Sequence, residues 1–91
     1  MSRYEWDPEK ARENLAKHGV SFEEAETVPD SEHARWVADH THSVLDERFL
    51  VFGYSDLERL LLVVTSEGGP RPRIISAWRA TKRERREYEA L

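Results

Sequence analysis

Apolar residues recur along this chain first at helical and then at strand spacing, and the switch falls near residue 30. At the start, Tyr4 and Trp6 alternate with Arg3, Glu5 and Asp7, which predicts a short strand with its aromatics turned inward. Asp7 then offers a helix N-cap, Pro8 suits the first helical position, and Gly19 can take the left-handed conformation that stops a helix, so a helix is predicted over residues 8–18. On it, Ala11, Leu15 and His18 share one face, expected to turn toward the core. Lys10, Asn14 and Lys17 share a neighbouring face, expected to be polar and exposed. Ser21 with Glu24 forms a capping box that opens a second helix through Val28, with Phe22, Ala25 and Val28 as its apolar positions. Pro29, Asp30 and Ser31 close it.

From there the pattern is that of a sheet. Residues 34–38 have strand character, and the polar stretch 39–43 reads as a loop. Residues 48–54 are rich in aromatic and β-branched side chains; after a turn at Ser55 and Asp56, residues 60–65 are apolar on both faces, so the two runs predict a hairpin with a buried central strand. Residues 67–70 form a turn and 73–77 a further strand, which sends Arg73, Ile75 and Ala77 to one face and Ile74, Ser76 and Trp78 to the other. Thr81 with Glu84 is a capping box that opens a final helix. The order β, α, α, three or four antiparallel strands, α predicts one α+β domain over residues 1–91.

Composition narrows the class. With 38% apolar residues among 91, the core is modest. The absence of cysteine excludes a disulfide framework and a thiolate zinc site and fits a reducing compartment. No apolar run resembles a secretory signal or reaches the length of a membrane span, so the chain reads as cytosolic. A net charge of −4 conceals an asymmetry: residues 71–91 carry seven Lys/Arg against three Glu, or +4, and residues 1–70 carry seven against fifteen acids, or −8. One end of the molecule can therefore gather phosphates.

The final helix groups Glu84, Tyr88 and Leu91 on one side, while Lys82, Arg85, Arg86 and Glu89 cover most of the rest. Two explanations stand. Arg83 with Glu87 and Arg85 with Glu89 are pairs four apart that stabilise a solvated helix. Alternatively, Arg73, Arg79, Arg83 and Arg86 form a cluster for a nucleic-acid backbone, with Trp78 and Tyr88 stacking bases; core packing accounts for Trp78 equally well. His40 and His42 stand two apart without nearby cysteines and are not read as a metal site. His18 reads as a partly buried, hydrogen-bonded imidazole rather than a general base. Lys10 and Lys17 read as solvent-facing unless the first helix lies beside the basic strand. There is no glycine-rich phosphate loop and no nucleophile elbow.

Taken together, Trp6-Asp-Pro-Glu-Lys10, Asn14, Lys17-His-Gly-Val-Ser-Phe-Glu-Glu-Ala25, Glu47-Arg-Phe49, Arg59-Leu-Leu-Leu62, Arg73-Ile-Ile-Ser-Ala77 and Ala80-Thr-Lys-Arg-Glu-Arg85 with Tyr88 resemble the BrnT family of type II toxins. The resemblance runs from Tyr4 to Tyr88 in order and spacing. It implies a RelE-like antiparallel sheet with two helices before it and one after. It also implies a cytoplasmic ribonuclease that inhibits translation and is neutralised by a BrnA-like ribbon-helix-helix antitoxin, with operator DNA reached only through that complex. In such ribonucleases the RNA 2′-hydroxyl attacks its own phosphate, so no metal or other cofactor is required, and the protein holds the phosphate in line, stabilises charge and moves protons. Carried onto this chain, the resemblance implies catalytic roles for Arg73, Arg79, Arg83, Glu84 and Lys17. Arg73 and Arg79 would hold phosphate charge, Arg83 a supporting contact, and Glu84 or Lys17 the proton transfer. It implies substrate contacts at Lys10, Arg59 and Tyr88, to which the basic cluster read above adds Trp78 and Arg86.

The chain departs from the family pattern in two places. Trp78 follows Ile-Ile-Ser-Ala where many members have Arg, and Thr65-Ser-Glu-Gly68 stands where Thr-Glu-Arg-Gly is common. If those arginines carry charge stabilisation, either Arg71 or Arg79 supplies the missing charge or activity is weak. Two other functions compete with the ribonuclease: a non-catalytic, antitoxin-binding partner acting in autoregulation of its operon, and a nucleic-acid-binding module without catalysis.

Overall fold

The computed structural model describes residues 3–39 and 47–91, and the stretch that holds His40 and His42 lies outside the described residues. In chain order the elements are α1 (Pro8–His18), α2 (Phe22–Ala25), β1 (Arg35–Ala38), β2 (Arg48–Tyr54), β3 (Leu60–Ser66), β4 (Arg73–Arg79) and α3 (Lys82–Ala90). The strands form one antiparallel sheet in the order β1-β2-β3-β4.

Local signals set the helix ends. The Asp7 carboxylate accepts from the Glu9 N–H at 2.8 Å, and Gly19, at φ 68°, donates its N–H to the Leu15 carbonyl. α3 opens with the full capping box: Thr81 Oγ1 accepts from the Glu84 N–H, and the Glu84 carboxylate accepts from the Thr81 N–H. In α2 only half of that motif forms. Ser21 Oγ accepts from the Glu24 N–H, but the Glu24 carboxylate turns away to other partners, and the helix stops at Ala25 rather than Val28. Beyond it the backbone continues in tighter three-residue turns, Thr27 N–H to Glu24 O and Val28 N–H to Ala25 O.

The core lies on one face of the sheet. Val20, Phe22, Ala25 and Val28 pack there with Tyr4 against Val51, Leu61, Val63, Ile74 and Ala77. Each large apolar side chain buried in this way stabilises the fold by about 1.5–3 kcal/mol. Gly53 permits the segment that follows α2 to approach β2 closely, since a Cβ there would stand 2.9 Å from Ser31 Oγ and 3.1 Å from Val28. On the opposite face α3 crosses only one end. Tyr88 stacks on Phe52, meets Tyr54 edge-on, and donates its hydroxyl to the His33 carbonyl at 3.0 Å. Beside it a largely apolar depression stays open, lined by Val37, Leu50, Phe52, Ala90 and Leu91 with Glu87 at its side.

Four expectations require correction. The N-terminal strand is reduced to a single bridge, in which Glu5 pairs with the outer edge of β4: its N–H donates to the Pro72 carbonyl, and its carbonyl accepts from the Ile74 N–H. The simple alternation of β4 fails because Thr65 pairs with Ile74 and Val64 with Ser76, leaving Ile75 as an extra residue. Ile74 and Ala77, assigned to opposite faces by period two, consequently both enter the core. On α1 the expected faces hold only in part: Ala11 packs against the core and Lys10 and Lys17 are exposed, but Asn14 is buried, whereas Leu15 is 53% exposed. His18 is exposed as well, not partly buried. Asn14 overrides periodicity because it meets the unpaired edge of β4. Its Nδ2 donates to Val20 O at 2.9 Å and Ala77 O at 2.8 Å, and its Oδ1 accepts from Ala77 N–H at 3.1 Å and Ser76 Oγ at 3.2 Å. Together Glu5 and Asn14 satisfy an edge that would otherwise invite another strand.

Candidate active site

Because Asn14 ties α1 to β4, the polar side of the helix overhangs the strand edge, and a groove of about 160 Å³ opens between them. Lys10, Glu13, Asn14, Lys17, His18, Ile75 and Ser76 line it. The condition for Lys10 and Lys17 to act at a phosphate, that the first helix lie beside the basic strand, is therefore met. One end of the groove reaches Trp78: the His18 and Trp78 rings stand 6.4 Å apart at a tilt of 48°. The indole Nε1 in turn donates to both Glu84 carboxylate oxygens, each at 3.3 Å. Glu84 thereby joins the start of α3 to the end of β4 and fixes the Trp78 ring beside the groove.

The turn beneath His18 is held by a second network. Glu24, with its side chain only 5% exposed, forms an ion pair with Arg59 and accepts from Ser55 Oγ at 2.7 Å. Arg59 also donates through Nε to Glu24 Oε2 at 2.9 Å and through Nη2 to the Gly19 carbonyl at 3.1 Å. The Arg59 hydrogen bond holds the Glu24 carboxyl below its ordinary range against the opposing effect of burial, with Ser55 and the charge of Arg79 contributing in the same direction. Arg59 has thus become part of the scaffold, and its guanidinium faces Glu24.

The remaining basic residues do not converge. Arg73, at the start of β4, pairs with Glu5 at 3.3 Å, and Arg79 closes the strand six residues later, about 20 Å away along an extended backbone. Arg79 is exposed at the strand end. Arg83 pairs with Glu87 at 3.4 Å on the solvent side of α3, and Arg86 is exposed on the same helix. Tyr88 points from α3 onto Phe52 of the sheet and anchors the helix. Of the residues proposed from sequence, the structure brings Lys10 and Lys17 into the groove and sets Trp78, with Glu84 bonded to its indole, beyond His18 at one end. It adds Asn14, Ser76 and His18, which the sequence offers as members of the family motifs without a site role, Asn14 also by sharing a helix face with Lys10 and Lys17. Among the described residues no group of three His, Asp or Glu is arranged to hold a metal ion, and no helix is long and apolar enough to cross a membrane.

Comparison with known proteins gives a consistent picture. Residues 6–84 match the family described as "Ribonuclease toxin, BrnT, of type II toxin-antitoxin system". Among solved structures, the ribonuclease toxin BrnT of Brucella abortus has a similar fold, with a TM-score of 0.66 at 22% identity, covering 87% of this chain and 96% of that one. No protein of curated function matches the sequence.

Proposed function

The chain belongs to the BrnT family of ribonuclease toxins from type II toxin-antitoxin systems, and from that premise we propose that it is an endoribonuclease whose substrate strand lies in the groove between α1 and β4. The observation that carries this reading is the alignment of Lys10 and Lys17 with Ser76 along that groove, next to a tryptophan held in place by Glu84. Two ammonium groups over one shallow channel suit a phosphodiester. Their charge counters the excess negative charge that builds on the phosphoryl oxygens as the 2′-hydroxyl attacks. Trp78 offers an aromatic surface to an unpaired base. Arg79, next after Trp78 at the end of the strand, adds positive charge near that end of the groove, whereas Arg83 and Arg86 lie apart on the outer side of α3. The reaction is internal transesterification without a metal, and loss of intact messenger RNA inhibits translation.

The type II family implies an antitoxin. We take it to be a BrnA-like ribbon-helix-helix protein, through which alone the pair reaches operator DNA. The test is incubation of the purified chain, freed of partner, with end-labelled RNA, naked and ribosome-bound, in excess EDTA. New ends bearing 2′,3′-cyclic phosphate are expected, and the Lys10→Ala, Lys17→Ala variant should form them at least about 100-fold more slowly. Intact RNA in both forms, or undiminished cleavage by the double variant, overturns this reading. A second reading, a non-catalytic partner that binds an antitoxin in autoregulation, is supported by the apolar depression between α3 and β1–β2. It predicts antitoxin binding that is lost in Leu50→Asp, with no RNA cleavage by any form of the chain.

A further inference from the structure

Cleavage by 2′-hydroxyl attack needs a group that takes a proton, and the two residues implied by family resemblance are poorly suited to that task here. Glu84 is engaged by three hydrogen bonds, from the Thr81 N–H at 2.9 Å and from the Trp78 indole to each oxygen. It holds the indole and caps the helix, so it is a positioning residue. Lys10 and Lys17 bring ammonium groups, which have protons to give and no lone pair to receive one.

His18 differs. It lines the groove beside Lys17 and Ser76, its ring is exposed, and its neighbour on the other side is Trp78. The backbone around it is fixed from three directions: the Gly19 N–H bonds to Leu15 O, Arg59 binds the Gly19 carbonyl, and Asn14 binds the Val20 carbonyl. The segment is thus held rigidly, while the imidazole it carries faces an open, cation-lined channel. Histidine is the side chain whose ordinary titration lies between about pH 5 and 8, where a base must exchange protons readily.

We propose that His18 is the general base of this site, acting on a single-stranded RNA whose base rests on Trp78 and whose phosphate lies between Lys10 and Lys17. This rests on the ribonuclease reading above. The His18 imidazole removes the 2′-hydroxyl proton as the O2′–P bond forms. The P–O5′ bond breaks with its electron pair on O5′, and the Lys17 ammonium supplies the proton that O5′ takes. The products are a 2′,3′-cyclic phosphate and a 5′-hydroxyl, and proton exchange with water restores both side chains. The charged groups near the imidazole are Lys10, Glu13 and Lys17 on α1, Arg59 of the β2–β3 hairpin, which binds the adjacent Gly19 carbonyl and is paired with Glu24, Glu84 of α3 beyond the indole, and Arg79 next along β4. A strand lacking the 2′-hydroxyl binds but is not cut.

The experiment compares the intact chain with His18→Ala and His18→Gln, each checked for native circular dichroism, on a single-stranded RNA from pH 5 to 8, with and without added imidazole. The unmodified chain should show a rate that rises with pH across this range. Both variants should be slower by about 10²- to 10⁴-fold with that rise lost, and imidazole should restore part of the activity of His18→Ala. Variants that cleave within about threefold of the parent, or that are slowed with the same pH profile and no response to imidazole, overturn the role of His18 while leaving the ribonuclease reading in place. Absence of cleavage by the unmodified chain at every pH overturns that reading and this inference with it.

Discussion

Asn14 uses every hydrogen-bonding position of its amide: both Nδ2 hydrogens donate, to Val20 and Ala77 carbonyls, and Oδ1 accepts from Ala77 N–H and Ser76 Oγ. Removing it strands three backbone groups at a place where the residue is only 6% exposed. A buried polar group left without a partner costs about 1–3 kcal/mol, and water entering the strand edge relieves part of the total, so Asn14→Ala should destabilise the fold by about 2–4 kcal/mol. Urea unfolding measures this as a lower midpoint at unchanged slope; a change below about 0.5 kcal/mol would mean that the β4 edge is already solvated. The same residue shows why the site was only partly legible. Periodicity treats a polar side chain as exposed, and nothing within a few residues of position 14 indicates an unpaired strand edge 63 residues later. Lys10, Lys17, Trp78 and Glu84 were identifiable by residue type. His18 was not, because its helical position groups it with Ala11 and Leu15, and only the placement of α1 against β4 reveals that this side is open.

Among the elements, the joint between α2 and the β2–β3 hairpin carries a contact that depends on pH. Glu24 carries a carboxyl held below the ordinary value of 4.5, chiefly by the Arg59 hydrogen bond. A carboxylate with a depressed folded-state pKa contributes stability that is fully present above about pH 4.5 and is lost as pH falls through the lower folded value. Glu24→Gln should therefore destabilise the chain at pH 7, by about 2–4 kcal/mol because Arg59 would then remain only 29% exposed without its charge partner. Thermal unfolding of both proteins from pH 7 to 3 should show the gap between them closing only below pH 4.5; a gap constant over that range would assign the loss to packing. Element boundaries were legible where their causes are local, as with the Asp7 cap, Gly19 and the Thr81–Glu84 box. They were misread where a distant partner intervenes. Glu24 is committed to Arg59 and not to its own N-terminus, so α2 is short, and the extra residue in β4 depends on register with β3.

At the scale of the molecule, the charge asymmetry of the sequence survives folding but does not form a single cationic patch. Arg73 is paired with Glu5, Arg59 with Glu24 and Arg83 with Glu87, which leaves the net +4 of residues 71–91 spread over a strand and the outer side of a helix. Lys10 and Lys17 come from the acidic part of the chain, yet they stand over the groove. Binding of RNA should therefore depend on two lysines that the charge distribution along the sequence does not single out. Each phosphate neutralised on a single strand contributes about −0.7 to the slope of log K against log salt. For a 2′-O-methyl oligonucleotide, which cannot be cleaved, Lys10→Ala with Lys17→Ala should reduce the magnitude of that slope by about 1.4 between 50 and 200 mM salt, as read by fluorescence anisotropy. Arg83→Ala with Arg86→Ala should change it by less, since one of those residues already has a carboxylate beside it. The reverse ordering would move the nucleic-acid surface from the α1–β4 groove to the outer side of α3, and with it the chemistry, because a strand held there does not reach His18, Lys17 and Ser76 together.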